Sequence, residues 1–186
     1  MSNEPAPQAY PHVAAMDALP AEEAAALLTS CCGSEEWVRR MLARRPFRAT
    51  STMLAVAERE WWSLGAVHWY EAFTHHPRIG ERSAAVAQDS RAASWSEGEQ
   101  RSVSAATGDV RRALSDGNAE YERRFGHIYL VCTADRSPEK LLTLLRQRLA
   151  NDPVSELRVA AAEQAAITRL RLIKALDALP STEPTS

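Results

Sequence analysis

Residues 73 to 81 read FTHHPRIGE, two adjacent histidines followed by a proline, an arginine, a glycine and a glutamate. Histidine changes charge near neutrality, so this stretch is the first candidate for moving a proton. Neighbouring residues on a helix point about 100° apart, so His75 and His76 cannot share a metal as a pair four residues apart can. His68 and His75 lie two turns apart with no cysteine near them, which argues against zinc. Pro77 disfavours helix at His76 and Gly80 gives the chain freedom just beyond, so His76 falls at a helix end. Two readings stand there. The ring caps the last helix carbonyls through a charge–dipole contact, or it serves as an acid/base. Local spacing by itself favours the cap.

A second polar cluster, SWSEGEQRS, stands where a helix should begin. Ser94 or Ser96 can cap it, with Glu97 and Glu99 in the first turn. Helix-start chemistry accounts fully for Glu97 and less well for Glu99 and Gln100. A third signal is ITRLRLI near the C-terminus. Arg171 follows Leu170 and lies four residues after Ile167, close to the apolar face. Such an arginine either snorkels outward, the commoner case, or is held by a buried anion.

The elements that must position these groups read as helices almost throughout. PAEEAAALLTSCCG is rich in Ala and Leu, carries Glu22 and Glu23 in its first turn and ends on Gly33. Ser34 caps the next helix, which Pro46 ends; a third runs from about Ser51 to Leu64, and AVHWYEAF adds a shorter one. DVRRALSDGNAEYERRFG has Asp109 as its cap and Gly126 as its stop. Ser137, Pro138 and Glu139 make a strong helix start, and PVSELRVAAAEQAAITRLRLIKALDAL forms a long terminal helix. HIYLVCT alone has strand character, and nothing is available to pair with it, so it reads as a buried extended link. The sum is an all-α fold, a compact helical bundle. Residues 1–18 and 179–186 read as flexible ends around a single domain at 19–178.

At 186 residues the chain is long enough for one real core. Acidic residues (24) nearly balance basic ones (22). No basic excess favours a nucleic-acid partner. No apolar run is long enough to cross a bilayer, and the N-terminus lacks a secretory pattern. Cys31, Cys32 and Cys132 form an odd set without CxxC spacing, which fits a reduced cytosol better than a disulfide framework. The adjacent pair reads as buried and structural.

Taken in order, FTHHPRIGE, SWSEGEQ, NAEYERRFGHIYLVC and RLANDPVSELRVAAAEQAAITRLRL resemble 2-oxo-4-hydroxy-4-carboxy-5-ureidoimidazoline (OHCU) decarboxylases of urate degradation. The similarity runs from about Leu19 to Leu176, and the ordered set is far more specific than any one piece. The resemblance implies a homodimeric carboxy-lyase of the cytoplasm that needs no metal or organic cofactor and releases (S)-allantoin and CO2. It implies catalytic roles for His76, Glu99 and Arg171. Substrate contacts are implied for Pro77, for Ser96, Glu97, Gly98 and Gln100, and for the backbone of Tyr129, Leu130, Val131, Cys132 and Thr133. The chain departs from the commonest pattern in two places. It has HPRIGER where many members read HPDLAGK, and FGHIYL where many read FGFPF. Two other readings compete: an inactive helical interaction module of the same fold, and a metal-dependent hydrolase built on His68, His75, His76 and His127. The retained His76, Glu99 and Arg171 weigh against the first, and ligand spacing weighs against the second.

Overall fold

A computed structural model describes residues 11–79, 90–99, 106–134 and 136–180, with Pro11, Gly98 and Glu99 described by backbone alone. Nine helices form among them and no strand. They are α1 (Pro11–Ala18), α2 (Ala21–Cys31), α3 (Glu35–Ala43), α4 (Thr50–Trp62), α5 (Ala66–Phe73), α6 (Ser90–Glu99), α7 (Gly108–Phe125), α8 (Pro138–Arg148) and α9 (Pro153–Asp177). None is long and apolar enough to cross a membrane.

Local chemistry sets most of the boundaries. Ser34 accepts from the Trp37 amide at the start of α3, Ser137 accepts from the Lys140 amide at the start of α8, and Asp152 accepts from the amides of Val154 and Ser155 to open α9. Pro138 and Pro153 occupy first-turn positions where no amide hydrogen is needed. Gly126 closes α7 in the left-handed conformation, φ 74°, with its N–H on the Glu122 carbonyl.

Some boundaries differ from expectation. Thr107, not Asp109, caps α7. Helix α6 is already helical at Ser90 instead of starting near Ser96, because the alanines at 92 and 93 favour helix upstream, so Ser96 lies well inside it. Helix α1 lies inside the stretch expected to fray and sends Val13 and Met16 into the core. Residues 1–10 and 181–186, expected as loose ends, lie outside the described residues.

Two apolar clusters form the interior. The larger joins α1 to α5 with the inner face of α9; the smaller lies between α7 and α8. Helix α9 is the hub, touching α1, α2, α4, α5 and α7. The link from α7 to α8 passes between the two clusters as an extended chain. Leu130 and Cys132 enter the larger cluster while Tyr129 and Val131 enter the smaller one. That alternation is the two-residue period of an extended backbone, and it explains why HIYLVCT is apolar at successive positions without pairing as a strand.

Side chains fasten this link. Arg148 donates to the Leu130 carbonyl at 2.7 Å and forms a buried ion pair with Glu156, N to O 2.6 Å. The Tyr121 hydroxyl and the Asn151 amide also donate to Glu156. The Arg148 guanidinium stacks 4.9 Å over the Tyr129 ring. On the other side, Glu163 of α9 accepts from the Cys132 N–H at 2.8 Å and from Arg136 at 3.0 Å. Irregular backbone survives in the interior here because charged side chains answer its polar groups.

Candidate active site

Helix α5 ends at Phe73, and the chain turns so that the His76 N–H bonds the Phe73 carbonyl. The turn sends the two histidines to different places. His75 lies against Gly33, so close that a Cβ there would sit 2.1 Å from the His75 ring. The extended Cys32 caps α2, so Gly33 takes the position just past the helix end that the sequence assigns to it. There it also supplies room for an imidazole. His76 is buried, 8 % exposed, beside Gln164 and Arg171 of α9.

Arg171 is 2 % exposed, so it does not snorkel. Its Nη2 donates to Ser96 Oγ at 3.0 Å and its Nη1 to the Ser30 carbonyl at 3.4 Å. These bonds join α9, α6 and the end of α2 around one buried positive charge. That charge also reaches His76. Burial is the first cause that lowers the His76 pKa well below 6.5, Arg171 the second, and the neighbouring His75 adds to both; Gln164 opposes them. At neutral pH His76 is an uncharged imidazole.

Cys32 borders the same place. Burial pushes its pKa up to about 11 despite Thr168 and Arg171, so it stays a thiol. Cys31, Cys32 and Cys132 are all buried and free of disulfides, as the odd count and spacing implied. No three described His, Cys, Asp or Glu residues converge in a way that could hold a metal ion.

Thus His76, Arg171 and Ser96 come together. Pro77 follows His76 half-buried, whereas Glu97 is exposed on α6. Gly98 and Glu99 are the last described residues of α6, in backbone alone, while the Glu99 side chain and all of Gln100 lie outside the described residues. Tyr129 to Thr133 are buried in the extended link. The Leu130 carbonyl accepts from Arg148, the Cys132 N–H donates to Glu163, the Thr133 carbonyl accepts from the Arg136 N–H, and the Tyr129 hydroxyl donates to the Leu141 carbonyl. The amide and carbonyl of Val131 take no hydrogen bond from the described residues, though the residue is only 4 % exposed.

Sequence reasoning missed two polar side chains here, Gln164 and Thr168, both buried on α9. Gln164 Nε2 donates to Thr168 Oγ1 at 3.1 Å. The signal was available: they lie seven and three residues before Arg171, on the same helical stripe.

Comparison with known proteins decides the kinship. The family model for OHCU decarboxylase matches residues 17–173. The chain belongs to the OHCU decarboxylase family. It is 33% identical over 147 residues to the uric acid degradation bifunctional protein TTL of Arabidopsis thaliana, a match spanning 77% of this chain and 44% of that protein. It is 37% identical over 65 residues to the 2-oxo-4-hydroxy-4-carboxy-5-ureidoimidazoline decarboxylase of Amia calva, 35% of this chain and 37% of that one. The chain therefore spans less than half the length of these curated relatives. A crystal structure of OHCU decarboxylase in the presence of (S)-allantoin superimposes with a TM-score of 0.69 at 28% identity, covering 80% of this chain and 96% of that one. A crystal structure of (S)-allantoin synthase, 15% identical, shares the fold with a TM-score of 0.66 over 88% of this chain and 53% of that one.

Proposed function

We propose that this family member decarboxylates OHCU to (S)-allantoin in urate degradation, without a cofactor. The observation that carries the reading is the buried meeting of a neutral His76 with the Arg171 cation and Ser96. Two of the three catalytic assignments implied by the family resemblance thereby share one enclosed site.

The chemistry fits these groups. In OHCU one ring carbon carries both the carboxylate and a hydroxyl and adjoins a carbon–nitrogen double bond. When the bond to the carboxylate breaks, CO2 leaves and its electron pair forms a double bond to the neighbouring carbon. The former C=N pair moves to nitrogen, which takes a proton. The hydroxyl proton is then lost as the carbonyl forms, and one proton is delivered to a single face of the neighbouring carbon. The electron sink belongs to the substrate, so the protein has to orient, exclude water and move protons.

His76 is the proton carrier in this proposal. An uncharged imidazole can accept the hydroxyl proton and return it to carbon, and a positioned acid/base of this kind is worth about 10²–10⁴ in rate. Arg171 holds a substrate oxygen through its planar fork without gripping the leaving carboxylate, since binding lost in the transition state would slow the step. Glu99 accepts from a ring N–H, and Pro77 with the end of α6 bounds the ring. Backbone groups between Tyr129 and Thr133 pair with the ureido and lactam edges, a role an extended chain can fill and a helix cannot.

The protein acts in the cytosol as a homodimer in this reading. Three buried cysteines without a disulfide support the first part. Trp62, Val67 and Tyr70 support the second, being exposed apolar side chains that a second copy could cover.

The test generates OHCU in place from urate with urate oxidase and hydroxyisourate hydrolase and follows its disappearance by ultraviolet absorbance. Loss at least about a hundred times faster with the protein supports the proposal. A rate equal to spontaneous decay contradicts it.

A further inference from the structure

Gln164 is fully buried on α9, and its amide is oriented by Thr168, to which Nε2 donates at 3.1 Å. The carbonyl end is therefore turned the other way. Gln164 Oε1 is sealed from solvent and meets no donor among the described residues. A sealed, unpaired amide oxygen costs roughly 1–3 kcal/mol, so a packed interior that keeps one has a donor to offer it. One is at hand. His76 Nε2 is likewise sealed and without a partner among the described residues, and Gln164 is the side chain beside that ring that favours its protonation. An amide oxygen can only accept, and an imidazole nitrogen can donate.

We infer that Gln164 is a positioning residue: its Oε1 accepts the Nε2–H of His76, fixing the ring's plane and tautomer and leaving Nδ1 as the basic nitrogen. The inference deepens the proposed function, since it says which nitrogen of His76 carries the proton in transit. It also gives the stripe Gln164, Thr168, Arg171 one purpose. Thr168 sets the amide, the amide sets the imidazole, and Arg171 sets the substrate. The charged and titratable groups facing His76 are Arg171 from α9 and His75 from its own turn, both opposed to its protonation. Glu99, in the proposed site, is the last described residue of α6, and Cys32 brings no charge while it remains a thiol. Against Arg171 and His75, the Gln164 oxygen is the group that favours the proton.

The test is an NMR titration of the His76 ring in the full chain, with kinetics alongside. In the wild type the Nε2–H appears at neutral pH as a proton protected from exchange. Gln164→Leu abolishes that protection, lowers kcat by about tenfold or more and leaves KM within about threefold, because substrate contacts remain. Gln164→Glu, nearly the same shape, raises the His76 pKa by about one unit or more and carries the acidic limb of the kcat profile up with it. An unprotected Nε2–H in the wild type, or an unmoved His76 pKa in Gln164→Glu, overturns the inference. If Gln164→Leu does not fold, the glutamate variant decides alone. The titration uses no substrate, so it can succeed where decarboxylation fails, and the two readings are judged separately.

Discussion

Arg171 Nη2 donates to Ser96 Oγ at 3.0 Å, and both side chains are buried. The bond fixes the end of α6, where the Glu99 backbone lies, against the hub helix. A hydrogen bond to a charged group contributes about 1.5–3 kcal/mol. Ser96→Ala is expected to lose that much in a denaturant titration and to lower kcat/KM about tenfold, while Ser96→Thr keeps the hydroxyl and most of both. Unchanged kcat/KM in Ser96→Ala would remove Ser96 from the site.

Gly33 and His75 make a second test. A Cβ at position 33 would stand 2.1 Å from the His75 ring, so Gly33→Ala must push the imidazole and its turn aside. Overpacking of this kind costs about 1–3 kcal/mol. Because the same turn presents His76, the variant should lose activity as well as stability. Adding His75→Ala removes the obstruction and should restore both, which thermal unfolding and the decarboxylation rate would report.

The buried imidazoles predict a pH dependence with a definite sign. His76 and His127 both have pKa values lowered, first of all by burial. Between those depressed values and about 6.5 the unfolded chain holds more protons than the folded one, so stability rises with pH there. The stability is complete above about pH 6.5 and is lost as pH falls toward the folded values. Denaturant midpoints should drop from pH 7 to pH 5, by at most about 1.4 kcal/mol per pH unit for each histidine. His76→Asn should flatten the slope, and a wild-type slope of zero or of opposite sign would contradict the assignment.

How far the sequence revealed this depended on whether a residue's neighbours lie nearby in the chain. Ser34, Ser137, Pro138 and Gly126 act within one helical turn, so their roles could be read directly. The extended link was legible as apolar and unpaired, yet its division between two cores was not, since that depends on what α7, α8 and α9 bring alongside. Gly33 could be read as the residue just past a helix, but the ring that needs its missing side chain lies 42 residues away, at His75. Ser96 looked like a cap because serine before acidic residues commonly caps, but the helix had already begun. Arg171 could be placed near an apolar face; its burial required Ser30 and Ser96, which only the fold supplies. Gln164 and Thr168 carry the side-chain types of a solvated face, and one sequence alone does not separate those from an interior polar stripe.

The ion pair beneath the link predicts a compensating double variant. Arg148→Met leaves Glu156 charged and enclosed, with Tyr121 and Asn151 still donating to it. Breaking one side of such a pair costs about 3–5 kcal/mol, whereas replacing both charges is often close to neutral. Arg148→Met with Glu156→Gln should therefore recover most of the stability lost by the single change. Activity should not return in proportion, because the Leu130 carbonyl stays without its 2.7 Å donor. Full recovery of kcat would separate the link from catalysis.

The central claim is that His76, and not its neighbour, moves the proton that makes allantoin chiral. The direct measurement is circular dichroism of allantoin formed from OHCU generated in place, with wild type, His75→Ala and His76→Ala side by side. The account predicts a full (S)-allantoin signal from wild type and from His75→Ala. It predicts a rate at least about a hundredfold lower and an increasingly racemic product from His76→Ala. Full rate and full optical activity from His76→Ala would contradict it.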